Sequence, residues 1–315
     1  TLELGHSDVL AGDQPQEFEI LDLAMIPTTG YRYFVRGTLR NPLVGEWNIQ
    51  GEVDLESGDH RVLLSNRNLV IGSAIRDALH PRLHPVVDKY GPSGPAAAEV
   101  FLERDQTNPE ADAGFRLTLK PRGMSLRYRN FPYPCEDIHG EIEFRADGFT
   151  VKSIAARNGK TRIRFDGSAD GYEAEAAYHF RLEMDDVAFD DALKNAVKEN
   201  ARKVWDLFKP SGRLDARITI HRERGADVKE WLPVDLHLKG ATLTYSGFPY
   251  AVERVTGEIH VDGDNVIVKR LQGVHGRCEL SFAGRIDSIA EDPVIDLDVR
   301  MLGLELDGKL RDALT

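Results

Sequence analysis

The sequence predicts a mainly β chain of repeated antiparallel sheets with one amphipathic helix per repeat. Three observations predict it: a long segment recurs at a fixed offset, apolar and polar residues alternate with period two along most of the chain, and two stretches change to helical spacing.

The repeat comes first. Tyr128, Phe131, Pro132, Tyr133, Glu136, Gly140, Glu141, Ile142, Val151, Lys152, Gly159, Phe165 and Gly167 recur without a gap. Their matches are Tyr245, Phe248, Pro249, Tyr250, Glu253, Gly257, Glu258, Ile259, Val268, Lys269, Gly276, Phe282 and Gly284, an offset of 117 (245 − 128). Upstream, Ala74, Pro92, Ser93, Gly94 and Arg104 recur as Ala192, Pro210, Ser211, Gly212 and Arg222, an offset of 118 (192 − 74). Leu310 and Ala313 restart the pattern after Leu193 and Ala196. The expected organisation is the end of a preceding repeat at 1–68, full repeats at 69–186 and 187–303, and the start of another at 304–315. A chain cut this way, opening on Thr1, is expected to be a portion of a longer protein.

Period two then predicts the strands. Ala174, Ala176, Tyr178, Phe180, Leu182 and Met184 alternate with more polar residues, as do Leu214, Ala216, Ile218 and Ile220. Ile142 and Phe144, Ile163 and Phe165, Leu236 and Leu238, Ile259 and Val261, and Leu280 and Phe282 give shorter examples, and Ile295 to Met301 another. Turns such as Ala146-Asp147-Gly148, Asn158-Gly159, Asp262-Gly263-Asp264 and Ser57-Gly58-Asp59 join them. About eighteen strands in antiparallel meanders are expected.

Two segments read as helices. From Asp190 to Phe208, residues Leu193, Ala196, Val197, Val204, Leu207 and Phe208 fall on one helical face. An aspartate stands at the start and Pro210-Ser211-Gly212 follows the end. Its counterpart over 72–90 contains Pro81 and Pro85, which predict a kinked or shorter helix.

Composition narrows the function. Lys+Arg number 40 and Asp+Glu 52, a formal net charge of −12. No basic face is expected, so nucleic acid is not an expected partner. The two cysteines, Cys135 and Cys278, stand at non-equivalent repeat positions and read as buried thiols rather than a disulfide framework. His80 and His84, four apart near Asp77 and Asp88, have ligand spacing. Each is followed by proline, and the repeat places Lys198 and Arg202 there, so surface is the expectation and no metal. No nucleophile elbow, phosphate loop, dinucleotide fingerprint or zinc-protease motif occurs. Neither an enzyme nor a cofactor is expected. Phe131-Pro132-Tyr133 and Phe248-Pro249-Tyr250 read as packed corners.

Long strands with one apolar face need a partner for that face, in a sandwich, a barrel or an open sheet holding lipid. Period two alone does not separate these. The helix-then-strands unit FDDALKNAVKENARKVWDLFKPSGRLDARITI resembles the AsmA-like superfamily of bacterial envelope proteins. So do the hairpins ending in Phe165-x-Gly167 and Phe282-x-Gly284, over about residues 69–303. The resemblance implies an elongated, curved β-groove, similar to chorein-type bridge proteins, whose apolar channel conducts lipid acyl chains between membranes. It implies a periplasmic, cell-envelope location and a parent protein anchored in a membrane. Partners would be acyl chains, and the inner and outer membrane or envelope proteins reached through flanking parts. The lining would be Ile142, Phe144, Ile163, Phe165, Ala176, Tyr178, Phe180, Leu182, Leu214, Ile218, Leu236, Leu238, Ile259, Val261, Leu280 and Phe282. The alternative is a scaffold of stacked β-sandwich repeats with no ligand.

Overall fold

The computed structural model describes residues 2–4, 16–72, 76, 84–104, 114–173, 175–227, 232–263, 265–287, 294–304, 308 and 310–311. The chain is mainly β, and every pairing described below is antiparallel. The strands are β1 (Leu2–Leu4), β2 (Gln16–Pro27), β3 (Arg32–Asn41), β4 (Gly45–Asp54), β5 (His60–Ile71), β6 (Gly94–Arg104), β7 (Gly114–Tyr128), β8 (Phe131–Arg145) and β9 (Gly148–Asn158). They continue as β10 (Thr161–Asp170), β11 (Ala177–Ala188), β12 (Arg213–Arg222), β13 (Val234–Tyr245), β14 (Phe248–Asp262), β15 (Asn265–His275), β16 (Cys278–Asp287) and β17 (Val294–Leu302). Three helices interrupt them: α1 (His84–Tyr90), α2 (Asp191–Ala196) and α3 (Glu199–Phe208).

Contacts divide the chain into two compact units. The first holds Thr1–Arg129, Cys135–Ala156 and Asp166–Tyr178; the second holds Asn130–Pro134, Arg157–Phe165 and His179–Thr315. In the first, β2 to β7 pair in sequence order, and in the second β12 to β17 do the same.

The repeat is legible in the backbone. Strands β8, β9, β10 and β11 start 117 residues before β14, β15, β16 and β17 (248 − 131, 265 − 148, 278 − 161, 294 − 177). The irregularities recur with them. Asp137 and Arg254 both have φ 53, Gly140 and Gly257 have φ 132 and 133, and Gly167 and Gly284 both have φ 145. Arg254 sits in a bulge: Glu253 faces Val274 and Thr256 faces Gln272, so two residues of β14 oppose one of β15.

The helix ends are built alike. Gly91 (φ 52) and Lys209 (φ 41) close α1 and α3 in the left-handed conformation, their amides donating to Val87 and Trp205. The next turn then docks: the Arg129 amide donates to Lys89 O at 2.8 Å and the Ser246 amide to Leu207 O at 2.7 Å. Tyr90 stacks on Tyr128 with centroids 5.0 Å apart, as Phe208 packs on Tyr245 at 5.4 Å. Each helix is thereby pinned to the end of the second strand that follows it.

Two expectations need correction. The single helix over 190–208 is two. Asp190 does cap the start, its Oδ1 accepting from the Leu193 amide at 3.0 Å, but Val197 turns extended (ψ 155) and Lys198 stays extended before α3. β-branched Val197 is a poor place to continue a helix, and Arg202 Nε donates to its exposed carbonyl at 3.0 Å, which makes the break tolerable. The counterpart helix is described only as His84–Tyr90; Asp77, His80 and Pro81 lie outside the described residues. The Phe-Pro-Tyr corners do pack: Tyr133 is 2% and Tyr250 5% exposed, each against the preceding phenylalanine. Neither cysteine is in a disulfide. Cys278 is buried, whereas Cys135 is half-buried, with burial pushing its thiol up to about 11.

Gly257 gives a direct test of the repeated backbone. A Cβ there would stand 1.9 Å from Arg270 O, on top of a positive φ, while at Gly276 it meets nothing within 4 Å. Gly257→Ala should cost about 2–4 kcal/mol, adding steric displacement of the neighbouring strand to left-handed strain, and Gly276→Ala about 1 kcal/mol. Urea unfolding of the two variants measures the difference.

Candidate functional site: a one-sided apolar face

Register decides which residues share a face, because residues directly opposite in a ladder point to the same side. In the second unit three consecutive rows run across six strands. The first is Leu214, Leu238, Gly257, Leu271, Phe282 and Val299; the second is Ala216, Leu236, Ile259, Val268, Gly284 and Leu297; the third is Ile218, Val234, Val261, Val266, Ile286 and Ile295. No charged residue stands in any row.

The opposite face is polar. Asp215 faces His237, which faces Glu258, which faces Arg270; Arg217 faces Asp235, which faces His260. Asp235 Oδ1 lies 2.9 Å from His260 Nδ1, and this hydrogen bond holds the Asp235 carboxyl below the usual range, helped by Lys269. Burial alone would raise Asp215, but the Asp186 amide and the Lys239 ammonium at 3.2 Å outweigh it and hold that group low. His179 and His221, both exposed, meet edge to face at 5.7 Å.

The first unit repeats the design. Leu23, Gly37, Ile49, Leu64, Val100 and Leu117 form one row and Met25, Val35, Gly51, Val62, Leu102 and Phe115 the next. On its polar face, Leu63, Glu99, Phe101, Arg116, Thr118, Lys120, Glu141 and Glu143 line a shallow depression of about 190 Å³. Glu143 is buried there under Lys152 Nζ at 2.7 Å and Arg145, and the Lys152 hydrogen bond holds it below the usual carboxylate range. Lys120 Nζ lies 3.2 Å from Glu99 in this depression, and the Arg116 guanidinium lies over the Phe101 ring at 5.1 Å.

Exposure is uneven over the apolar face. In the second unit the row nearest α3 is closed: Ala241 and Val255 are 0% exposed and Leu280 3%. In the rows beyond it Val266, Val268, Leu271 and Ile286 are buried, Leu236, Ile259, Val261, Ile218 and Phe282 are half-buried, and Val299 is exposed. In the first unit Ala96, Ala98, Val35, Ile49, Val62 and Leu64 are buried, and Val100, Leu102, Leu117 and Phe115 are half-buried. Among the described elements, the substantial contacts within each ladder join neighbouring strands; only α1 on β7 and α3 on β13 add to them.

The expected lining residues distribute as follows. Leu214, Ile218, Leu236, Leu238, Ile259, Val261, Leu280 and Phe282 share the face of the second unit. Phe165 and Phe180 stack at 5.2 Å in that unit, which also holds Ile163 (buried) and Leu182 (half-buried). Ile142, Phe144, Ala176 and Tyr178 belong to the first unit; Ala176 is buried and the other three half-buried. Sequence reasoning missed Val266, Val268 and Leu271 and the whole face of the first ladder. The register shift between Val268 and Leu271 puts residues three apart on one side, which hides period two. The same happens between Asn66 and Leu69.

The uneven exposure generates a contrast. Leu238 is 1% exposed and fully packed, whereas Val261 on the same strand-to-strand face is half-buried. Leu238→Ala should cost about 2–5 kcal/mol through lost burial and a cavity, and Val261→Ala about 1 kcal/mol or less. Chemical denaturation of both variants reads this.

Comparison with known proteins adds no name to this geometry: no family model, no curated protein and no solved structure matches the chain.

Proposed function

We propose that the chain is a lipid-conducting segment of a bacterial cell-envelope protein of the AsmA-like kind. The apolar face of each unit serves as a β-groove surface that carries acyl chains on a path between membranes. The observation that supports this reading best is the pair of apolar faces, three rows deep in the second ladder, which leave Leu236, Ile259, Val261 and Phe282 half-buried and Val299 exposed. Contiguous apolar surface left open to water marks a binding surface. An acyl chain is the ligand such a surface suits, since it offers length and methylene groups and asks for no hydrogen bond. Each methylene removed from water is worth ~0.8 kcal/mol, so a chain of about sixteen carbons binds firmly without a polar contact. The acidic polar face suits an aqueous compartment such as the periplasm. The work is physical partitioning, not bond making, so neither an enzyme nor a cofactor enters the reading. Partners in this reading are the inner and outer membrane or envelope proteins.

One observation favours the scaffold alternative. The row of Ala241, Val255 and Leu280 is as closed as any sandwich core. A ligand-free sandwich would extend that closure over the whole face.

Phe180→Asp and Ile218→Asp separate the two. Both side chains are half-buried on strands of the second unit. In a groove the variants keep the thermal midpoint within a few degrees and lose binding of a fluorescent phospholipid that the wild type retains. In a closed sandwich each change buries an unpaired carboxylate and unfolds the protein. A wild type that binds no lipid overturns the proposal outright.

A further inference from the structure

We infer that the depression on the polar face of the first unit binds a small, hydroxyl-rich monoanion of the acidic-sugar class, with Arg116 as its anion anchor. This face is opposite the apolar rows, so the inference is independent of what those rows carry. Leu63, Phe101 and Arg116 stand opposite one another across β5, β6 and β7, and Glu99 stands opposite Thr118 in the next outward row. With Lys120, Glu141 and Glu143 these residues line about 190 Å³. That is below the ~300–1,000 Å³ of pockets for drug-sized ligands, so the ligand is small.

Every carboxylate of the depression already has a cation. Lys120 Nζ lies 3.2 Å from Glu99, and Lys152 Nζ lies 3.3 Å from Glu141 and 2.7 Å from Glu143. Arg145 Nε also donates to Glu143, at 2.6 Å. Glu103, the next acid along β6, is taken by Arg61 Nε at 2.7 Å. Arg116 is left over. Its exposed guanidinium lies 5.1 Å from the Phe101 ring centroid, and among the described residues no carboxylate pairs with it. Half-buried Thr118 is two residues along on the same side of β7, and among the described residues no hydrogen bond takes up its hydroxyl. Arg116, Lys120, Arg145 and Lys152 thus meet Glu99, Glu141 and Glu143, a local surplus of one positive charge (4 − 3). The whole chain carries −12.

This arrangement specifies the ligand. A guanidinium held on a ring presents a planar fork to one oxyanion, and Thr118 offers a hydroxyl beside it. The surplus suits a single negative charge; a second would meet the three carboxylates. Those carboxylates have oxygens left to accept from ligand hydroxyls, and Leu63 offers a C–H surface. A carboxylate on a polyhydroxylated ring meets all of these demands. A phosphodiester shares the anion chemistry but carries fewer hydroxyls.

The test titrates sodium glucuronate into the ¹⁵N-labelled full chain. Amide signals of residues 99–101 and 116–118 should shift saturably, and glucose, which lacks the charge, should leave them in place. Arg116→Gln should weaken binding at least about tenfold, and Thr118→Val about three- to tenfold. Lys120→Gln should weaken it too, by freeing Glu99 to compete for Arg116. All three variants should melt close to the wild type, since none of these side chains is buried. Glycerophosphoethanolamine, titrated in parallel, tests the ligand class: tighter binding of it than of glucuronate overturns the acidic-sugar assignment. No saturable shift with either anion overturns the site. So do shifts scattered over the surface, or binding indifferent to both Arg116→Gln and Thr118→Val.

Discussion

Everything in this structure depends on strand register. In a ladder the side chains alternate faces, so a slip of one residue moves an entire strand's apolar set into water. Six strands in each unit hold phase well enough that Leu214 at one side and Val299 at the other lie in one unbroken row. Phase is kept by correction, not by uniformity. Where an extra residue enters, at Arg254 and Val255 or around Lys269 and Arg270, a bulge absorbs it and the apolar sequence resumes on the correct side. Gly257, with backbone of the next strand hard against its α-carbon, makes that close approach possible.

The helices play a smaller, positional part. Helices α1 and α3 each end in a left-handed residue, hand a late carbonyl to the turn that follows the second strand, and set an aromatic ring against the end of that strand. This closes the helix end of the apolar face, and beyond it buried and half-buried residues share the same rows. Packing and openness thus occur on one surface. Stability rests on closed positions such as Val255, Leu238, Val266 and Ile286; any ligand chemistry belongs to open ones such as Ile259 and Val261.

Much of this was legible in the residues. The offset of 117 read from the residues is also the offset between the starts of β8 to β11 and those of β14 to β17, because hairpin turns and glycines such as Gly159 and Gly276 are local signals. Inward and outward sides of β12, β13 and β14 followed from alternation. Leu271 was not legible, since a bulge places it on the face of Val268 three residues away, and nothing local announces it. The break at Val197 was missed because helical spacing continues across it; only the backbone geometry shows that α2 and α3 are separate. The face of the first ladder was missed because its part of the chain repeats only loosely, although Leu23 and Met25 already alternate. Open and closed rows carry the same residue types, so their difference lies in tertiary placement and not in any sequence signal.

The account is tested most directly by a nitroxide scan of residues 258 to 262 of β14 in the full chain, with Cys135→Ser and Cys278→Ala removing the native thiols. Relaxation by oxygen and by a polar nickel chelate is measured at each position with phospholipid present. The account predicts strict alternation, with labels at 259 and 261 favouring oxygen as acyl-chain neighbours do, and labels at 258, 260 and 262 favouring the nickel chelate. Alternation of the opposite phase, or nickel access equal on both sides, would contradict it.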